Sequence, residues 1–339
     1  MPGLAKLLVY LTGADSSWNR DYLSWKYLDN PFVARPLGIV ALAGREVVGF
    51  RGYHATPWQV PASGYRTLVL SPGDTCVQPE HRMKRLSVQM GRASMKEFHP
   101  TYRVLLNMTA TAPSVPGYLR MGFVPLQVKS RLTRTSLWRL ARALFRSRGS
   151  PLGSVEFGEF DDIAVLPNPL LKEMGRVAMD PSSSETRLIP LQDERFFRWY
   201  FRAPRDNHVF YYALEDRRVT GYVVLRLGYS GQLATIIDYS AQSFTAVARI
   251  LRFLVRTGPF GLIQTYSFTP KPELRQLLQV LGFRENGAID RVRRWRSTVW
   301  PLLVRPVKPN PSEEDWFVDG LDIRNISSWQ IPEIRSDSI

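Results

Sequence analysis

Three basic side chains, Arg82, Lys84 and Arg85, fall close together in the stretch VQPEHRMKRLS, residues Val77 to Ser87. Side chains of that type at that spacing suit a phosphate. The stretch leaves a β-rich segment and enters an amphipathic one, Ser87 to Phe98. At such a junction the first amides of a helix converge on an anion, and the helix dipole favours it. A phosphate-holding turn normally carries glycine, which lets the backbone approach closely and take unusual dihedrals. Arg85 stands at that position. An arginine is compatible with the turn if its dihedrals stay near helical, and its guanidinium adds a charge-assisted contact to a phosphate. The plainer alternative is a basic helix start that faces solvent.

The turn needs strands before and after it. SSWNRDYLSWKYLDNPF reads as an aromatic amphipathic helix ended by Asn30-Pro31. GIVAL and VVGFRGYHATPWQV flank AGRE, a strand–turn–strand pattern, and TLVLSPGDTCV is a third strand. YRVLLNMTA continues as a strand, and SVPGYLRMGFVPL as a short helix with a closing strand. The second half repeats the plan. FFRWYFRAP echoes YLSWKYLDNP, matching Trp199 to Trp25. VFYYALEDRRVTGYVVLRLG echoes GIVALAGREVVGFRGY, matching Gly221 to Gly49. LLQVLGF echoes YLRMGF, matching Gly282-Phe283 to Gly122-Phe123. The Trp-to-Gly spacings are 24 and 22 residues, and three marks in one order argue for a duplicated, domain-sized unit.

Composition narrows the class. At 339 residues with 44% hydrophobic side chains, the chain has material for two packed cores. The single cysteine, Cys76, excludes an intrachain disulfide framework and fits a reducing compartment. MPGLAKLLVYLTG is too weakly apolar for a secretory signal, and no run reaches the roughly eighteen apolar residues of a membrane span. The expected location is cytoplasmic, with peripheral contact on the inner membrane face as an option. Lys and Arg number 45 against 30 Asp and Glu, a net charge of +15, which favours anionic partners. The excess is local: nine Lys and Arg and no acid fall between Glu97 and Glu156.

The order hairpin, strand, basic turn, helix, strand, then Asn107 and GYLRMGF resembles the GNAT superfamily of acyl-CoA-dependent N-acyltransferases. The likeness covers roughly residues 15–128 and, more weakly, 190–300. In that family the turn reads Arg/Gln-x-x-Gly-x-Gly/Ala after a Val-x-Pro approach. Val77 and Pro79 match the approach, Arg82 the first position and Ser87 the small last residue, while Arg85 replaces the glycine. The resemblance implies an α+β (mixed α/β) fold of two GNAT-like domains, each a mostly antiparallel central sheet with helices on both faces. It implies acetyl-CoA or another acyl-CoA as co-substrate and no metal. Val77, Arg82, Lys84, Arg85, Leu86 and Ser87 would hold the pyrophosphate, and Asn107 the pantetheine amides. Tyr118, four residues before Gly122, would protonate the departing thiolate.

The attacking amine must be neutral, so a base or a water chain takes its proton. Candidates are Asp74, on the strand leading to the turn where the family's base often lies, and Glu80 and His81. Cys76, on the same strand, is a nucleophile in principle; a buried, inert cysteine is the simpler reading. The second copy lacks a basic turn and carries Leu278 where the first has Tyr118, so it is expected to complete the fold or wall the acceptor cleft, with Asp238 facing that cleft.

The expected domains are 1–128 (active), 129–155 (a basic connector), 156–305 (degenerate) and 306–339, a tail that Trp316, Phe317 and Trp329 pack onto the body. On a helical reading of the connector, Leu137, Trp138, Leu140, Ala141, Leu144 and Phe145 form an apolar face opposite Arg139, Arg142 and Arg146. That pattern suits an interfacial helix over residues 129–148 or a helix packed between domains. The expected reaction is acyl transfer, in a ternary complex, to a primary amine of a small or carrier-linked acceptor, with an anionic one as an option. Two other readings stay open. A Fem-type aminoacyltransferase would use aminoacyl-tRNA, although no RNA-binding motif accompanies the charge. A membrane-associated binding protein would have lost CoA through Arg85.

Overall fold

The computed structural model describes residues 2–128, 130–139, 155–179, 185–204, 207–228, 231–267, 272–285 and 301–332. The first sheet opens with three antiparallel strands, β1 (Leu37–Ala43), β2 (Glu46–Val60) and β3 (Tyr65–Val77). β4 (Val104–Asn107) joins β3 in parallel, and β5 (Val124–Val128) lies beyond it. β6 (Ser130–Thr135), next in the chain, leaves this sheet for the second. There it joins β7 (Gly158–Phe160), β8 (Ile163–Leu166), β10 (His208–Glu215), β11 (Arg218–Leu227), β12 (Leu233–Ala241), β13 (Leu262–Ser267) and β14 (Arg284–Glu285). β9 (Ile189–Pro190) pairs with β2, and β15 (Pro301–Pro306) enters the first sheet between β4 and β5.

The two sheets share one plan. The first runs β1-β2-β3-β4-β15-β5 and the second, over the matching strands, β10-β11-β12-β13-β6-β14. Each half therefore lends one strand to the other. Gly49 lies opposite Ala41 and Gly221 opposite Ala213, and both hairpins shift register at the next residue. Leading into these hairpins, Trp25 and Trp199 stack at 5.5 Å between ring centres. Each indole Nε1 donates to the other's carbonyl, at 2.8 and 2.9 Å. Trp25 and Trp199 thus make reciprocal contacts, and Gly49 and Gly221 hold equivalent register positions in their hairpins. β6 falls within the expected connector, 129–155, and β15 spans the expected boundary at 305/306, each joining the sheet of the other half. The start of the connector is strand β6, and only from Leu137 does it turn helical.

Helices α1 (Pro2–Thr12), α2 (Ser16–Leu23), α3 (Leu86–Phe98) and α4 (Val115–Arg120) belong to the first half. α5 (Leu171–Ala178), α6 (Glu194–Tyr200), α7 (Phe244–Thr257) and α8 (Pro272–Val280) belong to the second. Asp15 caps α2 by accepting from the amides of Ser17 and Trp18. α3 buries Met90, Gly91, Ser94, Met95 and Phe98, a stripe at helical spacing that seats it on β1 and β2. Trp329 of the tail is fully buried, edge-on to Trp58 of β2 at 5.3 Å. Of the connector's expected apolar face, Leu137 and Trp138 are strongly exposed. Leu140, Ala141, Leu144, Phe145, Arg142 and Arg146 lie outside the described residues.

At the start of β10, His208 is buried beside Phe201, 5.1 Å away, and Tyr200. Burial, reinforced by Arg226, pushes its imidazole from 6.5 down to about 3. A depressed value means that its contribution to stability is present above about 6.5 and is lost as pH falls toward 3. His208→Phe should therefore flatten the decline of stability between those values, measured by urea unfolding at a series of pH values. Parallel curves for the two proteins would contradict this.

Candidate functional site

β3 ends at Val77, and a single 3₁₀ turn, Pro79–His81, carries the chain to α3. Arg82 Nε donates back to the Val77 carbonyl at 3.1 Å, closing the turn. Arg85 is the N-cap of α3 with φ 60° and ψ 19°. The expected near-helical dihedrals are thus not what forms. The left-handed conformation of the missing glycine is kept, and the arginine bears its strain, about 1–2 kcal/mol for an L-residue. Met83 has φ 61°. No side chain caps α3: the Arg85 carbonyl accepts from Val88 and Gln89, and the Leu86 and Ser87 amides find no acceptor among the described residues. Arg82, Lys84 and Arg85 all stand exposed around these amides.

Behind the turn the sheet opens. β3 and β4 pair only at Val69–Val104 and Leu70–Leu105. Past Leu70, β3 runs on to Val77, while Leu106 and Asn107 pair with β15. Register between β2 and β3 shifts across Gly73–Cys76, where Asp74 has φ 48°. Asn107 is buried at the end of β4. Its Oδ1 accepts from the Thr109 amide at 2.9 Å, and its Nδ2 donates to nothing among the described residues. An unpaired donor at a strand splay fits an amide carbonyl of an extended ligand.

Tyr118 is buried on α4, edge-on to Phe123 at 5.0 Å. Its hydroxyl is within electrostatic reach of Arg51 on β2 and Thr75 on β3, beyond the last β3–β4 pair. Burial raises the phenol above 10, with Arg51 opposing, so Tyr118 stays protonated at neutral pH. The turn after α4 is held by Gly122, φ 81°, and by the Phe123 amide donating to the Tyr118 carbonyl at 3.2 Å.

The first half thus sets an uncapped helix start at one end of a strand splay and a protonated phenol at the other. A conserved Enterococcus faecalis protein described as a “Probable N-Acyltransferase” superposes on this chain with TM-score 0.61 at 10% identity, over 93% of this chain and 71% of that one. A GCN5-related N-acetyltransferase from Anabaena variabilis gives 0.59 at 12% identity, over 90% and 69%. One from Kribbella flavida gives 0.57 at 15%, over 90% and 68%. The fold is that of the GCN5-related N-acetyltransferases. At the level of sequence, no family model and no curated protein matches the chain.

Within this GNAT fold the base candidates fare differently. Asp74 is not a free base. Its carboxylate accepts from Lys26 Nζ at 2.8 Å, the Tyr27 hydroxyl at 2.5 Å and the Tyr22 hydroxyl at 3.1 and 3.2 Å. Lys26 and Tyr27 reach it from a π-helical turn, Ser24–Leu28, and Gly52 lets Tyr27 in: a Cβ there would meet the Tyr27 oxygen at 2.0 Å. Lys26 is buried against this carboxylate, and burial pulls its ammonium below its ordinary value. Glu80 is exposed on the 3₁₀ turn and His81 is half-buried beside it, so both are open to solvent. Cys76 is buried and donates to the Leu7 carbonyl at 3.3 Å, and burial pushes its thiol up to about 11, which rules out a ready thiolate.

The second half repeats the frame with different side chains at the matching positions. Phe283 donates to the Leu278 carbonyl as Phe123 does to Tyr118, so Leu278 occupies the tyrosine's position. The start of α7 is closed: Ser243 Oγ accepts from the Ala246 amide at 3.2 Å. Asp238 lies three residues before Ala241, the partner of Gly221, as Asp74 lies three before Val77, the partner of Gly49. It is buried and accepts from Gln192 and Tyr222, both at 3.0 Å, so it does not face a cleft as expected. Among the described residues no group of His, Cys, Asp and Glu could hold a metal, and no helix is long and apolar enough to cross a membrane.

Sequence reasoning missed Arg51, Thr75 and Lys26. Arg51 had a signal: in GFRGYH it alternates with Phe50, and so shares a face with Tyr53. Lys26 had none, because a π-helical turn breaks the 3.6-residue period that would have placed it.

Proposed function

We propose that the protein is an acyl-CoA-dependent N-acyltransferase whose first half carries the reaction. The observation that supports this best is the coincidence of Tyr118 with the β3–β4 splay: the phenol is within electrostatic reach of Thr75, a residue of β3 past the last β3–β4 pair. The residues present suit CoA. The Leu86 and Ser87 amides, with Arg82, Lys84 and Arg85 around them, would hold the pyrophosphate. Asn107 Nδ2 would donate to a pantetheine carbonyl. Bound acyl-CoA supplies an acyl group activated as a thioester. Tyr118 then holds its proton where the sulfur departs, and the amine's proton leaves through solvent, with Glu80 and His81 at the open mouth of the site. The acyl group is proposed to be acetyl, as in the GNAT structures above. The acceptor is proposed to be a primary amine on a small or carrier-linked molecule, the arginine-rich stretch around residues 131–148 favouring an anionic one.

Calorimetry with CoA and acetyl-CoA tests this, with Arg85→Gly alongside. Wild type should bind CoA. Arg85→Gly should bind about tenfold more weakly, the loss of one charge-assisted contact. Its stability should hold or rise slightly, because glycine relieves the left-handed strain that the arginine bears. Equal affinity would remove the guanidinium from the phosphate site and leave the turn in place. No CoA binding by wild type would overturn the proposal.

A further inference from the structure

Arg51 is an unusual residue to find inside a protein without an acid. It is 2% exposed, yet no carboxylate pairs with it among the described residues. A buried cation without a counter-charge is costly, and proteins rarely keep one without compensation. Arg51 Nε donates to the Tyr53 hydroxyl at 2.6 Å, and that oxygen lies 2.5 Å from Ser94 Oγ of α3. Ser94 Oγ in turn donates to the Gly91 carbonyl at 2.7 Å, which fixes the direction of the chain of hydroxyls. Arg51 Cζ lies over the Tyr118 ring, 4.8 Å from its centre, and 5.6 Å from that of Tyr53. Gly91 of α3 packs beside the guanidinium: a Cβ there would lie in van der Waals contact with Arg51 Cζ, at 3.6 Å, and collide with the Met121 sulfur at 2.3 Å.

Two polar atoms at this spot are unused. Arg51 Nη2 and Thr75 Oγ1 are both buried and complete no hydrogen bond of good geometry. Both residues, one on β2 and one on β3, lie within interaction range of the Tyr118 hydroxyl. The other buried cation of this region, Arg305 on β15, is not available, since its guanidinium donates to the carbonyls of Pro306, Met121, Lys308 and Pro309. The surroundings therefore offer a cation and a hydroxyl close to a phenol, with no anion to meet them among the described residues.

We propose that Arg51 is the counter-charge of the leaving group, holding the negative charge that passes between the departing CoA sulfur and the Tyr118 oxygen. This rests on the acyltransferase reading above. In the step, the bond from the amine nitrogen to the acyl carbon forms and the carbon–sulfur bond breaks, its electron pair leaving on sulfur. Tyr118 gives its phenolic proton to that sulfur, and the proton lost by the amine nitrogen restores the phenol through solvent. A tyrosinate in an apolar pocket would be a poor product. Beside a fixed guanidinium it is stabilised, because opposite charges at this range favour the ionised form. Arg51 is thus a positioning residue that acts on Tyr118 and on the sulfur, and Thr75 Oγ1 is placed to donate to the same charge.

The test is the ionisation of the thiol of bound CoA, followed by thiolate ultraviolet absorbance against pH. In wild type the bound thiol should ionise at a pH lower by about one to three than that of free CoA. In Arg51→Met the difference should vanish, and Arg51→Lys, which keeps a cation without the planar fork, should retain part of it. A role confined to packing would not move this titration. Identical curves for free and wild-type-bound CoA would overturn the proposal whether or not Arg51→Met folds. So would a shift that survives intact in a folded Arg51→Met that still binds CoA. Failure of wild type to bind CoA at all would instead overturn the acyltransferase reading, and this assignment with it.

Discussion

Tyr118→Phe should lower kcat by about 10²–10⁴-fold, the range that a positioned general acid contributes. Affinity for CoA should stay the same. The substitution removes one oxygen and keeps the ring, so the edge-on contact with Phe123 at 5.0 Å and the guanidinium stacked 4.8 Å above are preserved. The hydroxyl sits where β3 has parted from β4, which makes it the group that a thioester sulfur in the splay would meet. Its pH dependence has a definite sign. Burial raises the phenol above 10, so the donor form is fully present below that value. Wild-type kcat should therefore hold through neutral pH and fall only at higher pH, as the proton is lost. The variant should lack that alkaline limb. Steady-state kinetics with acetyl-CoA over a pH series measures both effects. A variant within threefold of wild type would remove Tyr118 from the reaction and shift attention to a water molecule as the donor.

How much of this was legible in the sequence depends on the distance over which each feature is decided. The hairpins, the turn at Val77–Ser87 and the Gly122-Phe123 stop are local, and alternation, turn residues and helix spacing placed them. The internal repeat was legible because Trp25 and Trp199, Gly49 and Gly221 each do the same local task twice. The strand exchange was not. β6 and β15 follow their own halves in the chain, and nothing in SRLTRT or PLLVRP says which sheet each will enter. That choice is made by partners more than a hundred residues away, such as Leu105 for Arg305 and Ile263 for Arg134. The site divides in the same way. Arg82, Arg85, Asn107 and Tyr118 stood out through a family pattern. The engagement of Asp74 was hidden, because two of its three donors, Lys26 and Tyr27, come from the π-helical turn, a feature without a sequence signature. Arg85 shows the converse: its residue type argued against a glycine-like turn, and the fold imposed that turn regardless.

Arg305→Met should be the most destabilising single change outside the apolar core, and the reason is the exchange itself. Arg305 is 3% exposed and spends its guanidinium on four carbonyls: Pro306 at 2.7 Å, Lys308 at 2.6 Å, Pro309 at 3.3 Å, and Met121. The Met121 carbonyl belongs to the turn just before Gly122, so this one side chain ties the incoming β15 to the helix that carries Tyr118. The second half uses the same device, for Arg134 on β6 donates to the Leu281 carbonyl, just before Gly282, at 3.0 Å. Methionine fills similar volume and strands the carbonyls; at about 1–3 kcal/mol for each buried group left unpaired, the loss should reach about 3 kcal/mol or more. Arg134→Met, which gives up the bond to the Leu281 carbonyl at a half-buried site, should cost about 1 kcal/mol. Urea unfolding of the two variants measures the difference, and comparable small losses would show that strand pairing alone holds β15 in place. Tyr118 makes the result bear on function. If the clamp positions the α4 turn, Arg305→Met should lose turnover at temperatures where it is still folded, in proportion to the displacement of Tyr118 from the splay.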